Sequence, residues 1–262
     1  MNTHPPIQCK CCNNNALHIG HLDFNKSCHD RFGKRVFPIS PIEVAYYRCV
    51  SCGFVFTNHM DSWTPEQFAT DIYNAEYCLA DGVVPGYELG KEDPRQTISY
   101  ANGSQIASFF MGARDQIKVI DYGAGGNPGN TGLALLDKGF DLTSYEPYMV
   151  ENASELKYHQ YDLIIAIEVF EHCQNLAELG TVMSKMLSRD GVIWIQTLLH
   201  PHPSGDDILN SWYIAPRNGH ISIFTLPALT WLFRQYGINI VQNAFGLFGF
   251  KNLPRFPNLL FV

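Results

Sequence analysis

The chain has 262 residues, with 18 basic against 25 acidic side chains and a net charge of −7. That balance offers no footprint for nucleic acid or an anionic membrane surface, and no apolar run approaches the roughly 20 residues of a membrane-crossing helix. The length suits one core of about 150 to 170 residues beside a small metal-stapled module.

Read from the amino terminus, the first signal is sulfur. Cys9 and Cys12 are separated by two residues, as are Cys49 and Cys52, and the second pair runs into Gly53 in Y-R-C-V-S-C-G-F-V-F. Two such knuckles bring four thiolates to one tetrahedral Zn²⁺, with the glycine letting backbone amides turn toward sulfur. Four thiolates leave no position for water, so the site is expected to be structural. The 36 intervening residues call for a hairpin excursion, and Cys11, Cys28 and His29 stand by as substitute ligands. With no signal peptide there is no reason to expect disulfides, and the expected compartment is the cytoplasm. Residues 1–60 are taken as this zinc-ribbon-like module.

Residues 61–115 read as a helical linker or lid, with helices over Asp61 to Thr70 and Pro94 to Met111 and a glycine- and proline-bearing stretch from Asp81 to Gly90 between them. Its aromatic residues, Tyr73, Tyr77 and Tyr87 among them, suit either packing beneath a lid or contact with a ligand.

The third module, residues 116–262, opens on Val119 to Gly129, V-I-D-Y-G-A-G-G-N-P-G. An apolar strand ends at Asp121 and enters glycines that let backbone approach a ligand more closely than any Cβ permits. A dinucleotide fingerprint starting at Gly123 and Gly125 needs glycine at 128, where Pro128 stands, and the Gly-Lys-Ser/Thr of a phosphate loop is missing. The remaining pattern, an acid closing a strand and then Gly123-Ala124-Gly125, resembles the first motif of the S-adenosylmethionine (SAM) dependent methyltransferases with a Rossmann-like fold. That resemblance implies an α/β fold with a mostly parallel sheet and an antiparallel edge. It also implies SAM as cofactor, held at Asp121, Gly123, Ala124 and Gly125.

Leu133 to Gly139 completes a helix ending at a C-cap glycine, and Asp141 to Glu146 gives a second strand closed by an acid. Glu146 lies near the separation at which such folds place a carboxylate on a ribose, and Pro147 follows it. Only fifteen residues separate Glu146 from Asp162, too few for a helix and a full strand, so a third strand must be short or missing. Leu163 to Ile167 is an apolar run bracketed by acids, as expected of a strand buried on both faces. The phrase Y-D-L-I-I-A-I-E-V-F-E-H resembles the fourth strand and following loop of the ubiquinone-type and related small-molecule methyltransferases. By that resemblance Glu168, Val169 and Phe170 line the cofactor, Glu171 and His172 stand at the pocket mouth, and Asn152 and Ala153 meet the purine.

Leu176, Leu179, Val182, Met183, Met186 and Leu187 form one apolar helical stripe. Ser188 to Gly191 is read as a turn, and Val192 to Thr197 as a fifth strand. An aromatic and histidine cluster follows: His200, His202, Trp212, Tyr213 and His220. G-H-I-S-I-F-T resembles the same group, where the histidine lies over the active site, so His220 joins His172 as a candidate general base. Thr225 caps a helix carrying Leu229, Leu232 and Phe233, and Ile238 to Ala244 and Leu259 to Val262 are expected as the closing antiparallel pair. A ribbon ahead of such a domain also resembles a set that includes sugar C-methyltransferases. Together these resemblances imply O-, N- or C-methylation of a small molecule by direct in-line transfer. A non-catalytic SAM-fold module and an RNA methyltransferase are the competing classes.

Overall fold

The computed structural model describes residues 5–82, 93–147, 156–202, 205 and 207–255. Asn152, Ala153, Tyr87 and the expected strand at Leu259 to Val262 lie outside them. The chain divides into two compact units that do not follow chain order: residues 1–92, 171–176 and 198–232 form one, and 93–170, 177–197 and 233–262 the other. The first thus combines the cysteine module with part of the expected linker and with the histidine-bearing loop after the last parallel strand.

In the first unit, strands β1 (Ile7–Gln8), β2 (Asn15–Asp23), β3 (Glu43–Cys49), β4 (Val55–Phe56) and β9 (Ser222–Ile223) pair in that order, antiparallel throughout. The expected hairpin excursion is β2 and β3, which lie between the two cysteine pairs. Aromatic side chains fill the interior: Tyr46, Phe54, Phe56 and Phe224 are fully buried. Helix α1 (Pro65–Asp71) starts where Thr64 and Gln67 cap one another's amides, with Pro65 in the first turn, where no amide hydrogen is needed. Helix α2 (Tyr77–Asp81) follows.

The second unit is built on a six-stranded sheet. Strands β5 (Lys118–Tyr122), β6 (Asp141–Tyr145), β7 (Tyr161–Ile167) and β8 (Leu187–Gln196) are parallel, and the hairpin β10 (Asn239–Asn243) and β11 (Gly246–Phe250) adds antiparallel to β8. The order is β10-β11-β8-β7-β5-β6. This is the mixed α/β architecture expected, with its antiparallel edge supplied by Gly246–Phe250. Among the described residues β6 ends the sheet and no strand lies outside it, as the short interval after Glu146 requires. Strand β8 begins at Leu187, through residues expected to turn, because Leu187 pairs with Tyr161 across a register irregularity.

Leu163 and Ile165 sit in the core with Val119, Val192, Trp194 and Phe248. Burying such aliphatic side chains contributes about 1.5–3 kcal/mol each. Helix α3 (Pro94–Phe110), capped by Asp93, packs on α4 (Asn130–Leu136), and α5 (Leu176–Met186) buries Leu179, Met183 and Met186; α6 (Leu226–Arg234), most of which belongs to the first unit, buries Leu229 and Leu232. Thr225 Oγ1 accepts the Ala228 amide at 3.1 Å, the cap expected for α6.

Gly103 marks the closest approach of α3 to α4, since a Cβ there would stand 2.2 Å from the Thr131 carbonyl oxygen. Alanine normally gains about 1 kcal/mol over glycine inside a helix. Here the clash with backbone outweighs that gain, so Gly103→Ala is expected to lower stability by about 1–3 kcal/mol in denaturant unfolding; equal or greater stability would refute this packing.

Candidate functional site

At the carboxyl end of β5 the chain turns out of the sheet in left-handed conformations that favour glycine: Gly123 has φ +78° and Gly125 φ +62°. The turn is anchored by the Tyr145 carbonyl, which accepts the amides of Gly123 and Ala124 at 2.8 and 3.1 Å. A Cβ on Gly123 would meet Val169 Cγ2 at 2.5 Å, whereas none would meet anything at Gly125. The Gly125 amide donates to Glu146 Oε2 at 2.9 Å. The loop therefore leaves open space beside Gly125, with the Glu146 carboxylate drawn to its amide.

Asp121 and Glu146 have different environments. Asp121 is 3 % exposed and its Oδ2 has no hydrogen-bond partner. Burial pushes its carboxyl up to about 7, the Gly132 amide offsetting part of this and the charge of Glu146 adding to it. Glu146 is half-buried and Pro147 exposed. Glu168 closes β7 with φ +50°, uncommon for a side-chain-bearing residue, its amide bonded to the Gln196 carbonyl at 2.8 Å. Val169 backs Gly123, and Phe170 is buried against Phe233. Of the expected cofactor residues, Asp121, Gly123, Ala124, Gly125, Glu146 and Val169 are thus brought together.

His172 and His220 lie in the first unit beside Glu171. Their rings meet edge to face at 4.8 Å, and Glu171 Oε1 stands 3.9 Å from His172 Nε2 with the carboxylate fully buried. His172 Nδ1 is 3.2 Å from the Gly219 carbonyl oxygen and His220 Nδ1 2.7 Å from that of Tyr213. A carbonyl only accepts, so each Nδ1 must carry the hydrogen, which leaves Nε2 with the lone pair. Burial lowers both imidazoles to about 4, His172 adding to the shift at His220, so both are neutral near pH 7. One ligand atom from each of Glu171, His172 and His220 lies within 4.8 Å of the others. The sequence pointed to the histidines, but only the fold gathers Glu171 with both.

The cysteines assemble as their spacing predicts. Sulfur separations are 3.7 Å for Cys9 to Cys52, 3.4 Å for Cys12 to Cys49 and 3.5 Å for Cys12 to Cys52. These are far longer than a disulfide bond and close to the edge of about 3.8 Å that a tetrahedron with metal–sulfur bonds near 2.3 Å would have. The amides of Cys11, Ser51 and Cys52 approach the first sulfur of their own knuckle at 3.4–3.5 Å. Asn13, with φ +60°, takes in the first knuckle the place that Gly53, with φ +73°, takes in the second, and their amides bond the carbonyls of Cys9 and Cys49. Hydrogen bonds from Cys11 and Cys52 draw the Cys9 thiol strongly toward thiolate, while the bond to Cys9 pushes Cys52 up. Of the substitute ligands, Cys28 stands 3.8 Å from His220 Nδ1, away from the four-sulfur group.

Residues 95–243, more than half of the chain, match the family model described as a methyltransferase domain. The chain belongs to that family. No curated protein matches it. Among solved structures, it is similar to 1,6-didemethyltoxoflavin-N1-methyltransferase from Burkholderia thailandensis, which holds 1,6-didemethyltoxoflavin and S-adenosylhomocysteine. That pair shares 15 % identity over 81 % of this chain and 95 % of the other, with a TM-score of 0.41. A SAM-dependent methyltransferase from Thermotoga maritima shares 10 % identity over 61 % of this chain and 94 % of the other, with a TM-score of 0.38. Likeness this remote leaves the functional reading to the family match and to the residues themselves.

The raised Asp121 carboxyl has a stability signature. A folded-state value above the unfolded one of about 3.9 stabilises below pH 4 and is lost as pH rises through about 7, a change on the order of 2–4 kcal/mol. Relative to Asp121→Asn, the wild-type chain should therefore lose stability between pH 5 and pH 8 in urea titrations. Parallel pH curves for the two proteins would contradict the assignment.

Proposed function

We propose that this member of the methyltransferase-domain family binds SAM at the glycine loop of Gly123 to Gly125 and methylates a small molecule by direct in-line transfer to oxygen, nitrogen or carbon. The observation that carries the reading is the open space at Gly125 with Glu146 bonded to its amide, at the carboxyl end of a parallel sheet where such folds bind ligands. SAM suits these residues chemically. Its ribose hydroxyls can donate to the Glu146 carboxylate, and its net positive charge suits a loop closed by acidic residues. When bound it supplies an electrophilic methyl group. Transfer relieves the charge on sulfur, so the protein's part is alignment and the exclusion of water.

A hydroxyl acceptor must also lose a proton, and we assign that to the His172 and His220 pair. Their Nε2 lone pairs are the basic positions, and Glu171 offsets the imidazolium that results. The acidic net charge favours a small-molecule acceptor over RNA. Asn152 and Ala153 are retained as purine contacts on sequence resemblance alone. The domain divisions at 60 and 115 likewise stay a proposal from sequence.

The four cysteines fit a structural zinc ion: the donor set is all thiolate, the sulfur separations suit a tetrahedron, and knuckle amides stand ready to bond the sulfurs. None of the eight cysteines forms a disulfide, which fits a reducing compartment, and we take the protein to be cytoplasmic. Among the described residues no helix is long and apolar enough to cross a membrane. A second reading rests on the proximity of Glu171, His172 and His220, two neutral imidazoles and a carboxylate being a donor set that can hold a divalent cation.

Calorimetry with SAM and metal analysis of the purified protein test these assignments together. Saturable SAM binding that Gly123→Val abolishes, with one zinc per chain lost in Cys49→Ser, is the expected result. No SAM uptake would overturn the enzymatic reading, and a second metal equivalent lost in His220→Ala would favour the cation. With an acceptor in hand, His172→Asn or His220→Asn should cut turnover about 10²-fold with SAM affinity nearly intact; unchanged turnover in both would remove the general-base role.

A further inference from the structure

The short turn Pro216–Asn218 and the two residues after it tie four separate segments of the first unit together. The Arg217 amide donates to the Lys26 carbonyl at 3.1 Å, and Asn218 Oδ1 accepts the Cys28 amide at 2.9 Å. The Gly219 carbonyl accepts His172 Nδ1, and the Tyr46 hydroxyl donates to the His220 carbonyl at 3.0 Å. The fourth tie is the Arg217 side chain, only 5 % exposed. Its Nη1 donates to the Ile72 carbonyl and its Nη2 to Asn74 Oδ1, both at 3.0 Å, and the guanidinium lies 4.6 Å from the centre of the Phe37 ring. Between those two acceptors sits Tyr73, whose ring meets His172 edge to face at 5.9 Å.

A guanidinium is a costly way to hold a loop. Taking it out of water costs several kcal/mol, its two hydrogen bonds go to neutral oxygens, and the carboxylate of Glu76 is 4.0 Å away and 58 % exposed, which weakens it as a counter-charge. An apolar side chain of similar length would fill the same space at lower cost. What the planar fork adds is direction, because two fixed donors set the Ile72 and Asn74 oxygens at once, and with them the Tyr73 ring. Gly219, on the same turn, leaves no slack on the other side: a Cβ there would stand 3.2 Å from Ile72 Cγ2 and 3.3 Å from His172 Nδ1.

We infer that Arg217 is a positioning residue, clamping Tyr73 against His172 so that the imidazole keeps Nδ1 on the Gly219 carbonyl and presents Nε2. The assignment rests on the general-base reading for its purpose but not for its test. In the full-length protein labelled with ¹⁵N-histidine, long-range ¹H–¹⁵N spectra report the tautomer of each ring, His172 being identified by the signal lost in His172→Asn. Wild type should show His172 as a single Nδ1–H tautomer. Arg217→Met, which keeps the apolar stem, should convert it to two comparable populations while His200, whose amide is bonded to the Phe224 carbonyl at 2.9 Å, keeps its signal. Arg217→Lys keeps the charge and can satisfy one of the two acceptors, so it should give partial mixing; it is also the variant to read should the methionine form not fold. An unchanged His172 tautomer in the folded variant would overturn the inference. Unchanged methyl transfer in the histidine variants would instead overturn the general-base reading and leave this spectrum as it is.

Discussion

Two hydrogen bonds from Gly123 and Ala124 to the Tyr145 carbonyl determine where the chain leaves the parallel sheet. A strand normally offers its last carbonyls to a neighbour's amides. Here β6 ends by giving one carbonyl to two amides of the loop that follows β5. The turn requires positive φ at Gly123, and Val169 fills the space a side chain would need. Three strands thus converge on one residue without a Cβ, and the open space beside Gly125 is the result. Substitution at Gly123 meets both a conformational and a steric penalty, whereas Gly125 meets only the first.

The first unit solves a different problem. Three of its five strands, β1, β4 and β9, are two residues long, far below the length at which a ribbon is stable alone. A metal ion held by the four gathered sulfurs would supply what the ladder lacks, joining the loop after β1 to the end of β3 across 36 residues of intervening chain. The second support is aromatic. Phe54 stacks on Phe56 and tilts against Phe224, so the pairing of β4 with β9 is backed by rings from both strands' neighbourhoods.

Legibility in the sequence followed from how locally each feature is encoded. The apolar run at Leu163 to Ile167, the acid–glycine junction at Asp121 and the two cysteine pairs each act within a few residues, and each appears where expected. Gly246–Phe250 escaped because G-L-F-G-F interrupts its apolar run with glycine, and the more continuous Leu259 to Val262 drew attention instead. Two-residue strands carry no periodicity to read. Glu171 was expected beside His172 at a pocket mouth; that it lies buried with His172 and His220 depends on a loop nearly 50 residues further on. The division into units was likewise illegible, because segment 198–232 joins the cysteine module through β9, a contact that spans well over half of the chain.

The two acids of the glycine loop illustrate how one fold separates like groups by solvent. Asp121 and Glu146 end adjacent parallel strands, and the charge of one raises the carboxyl of the other. Were both equally exposed, both would ionise and repel across the loop. Burial of Asp121 instead holds its carboxyl up to about 7, so that about half of it is neutral near pH 7 and the repulsion across the loop is reduced. A cationic ligand approaching the loop would add an attractive charge near both groups and draw the Asp121 carboxyl down. Binding of such a ligand should therefore release a fraction of a proton near pH 7, in an amount set by how far the ligand's charge reaches past Glu146 into the sheet.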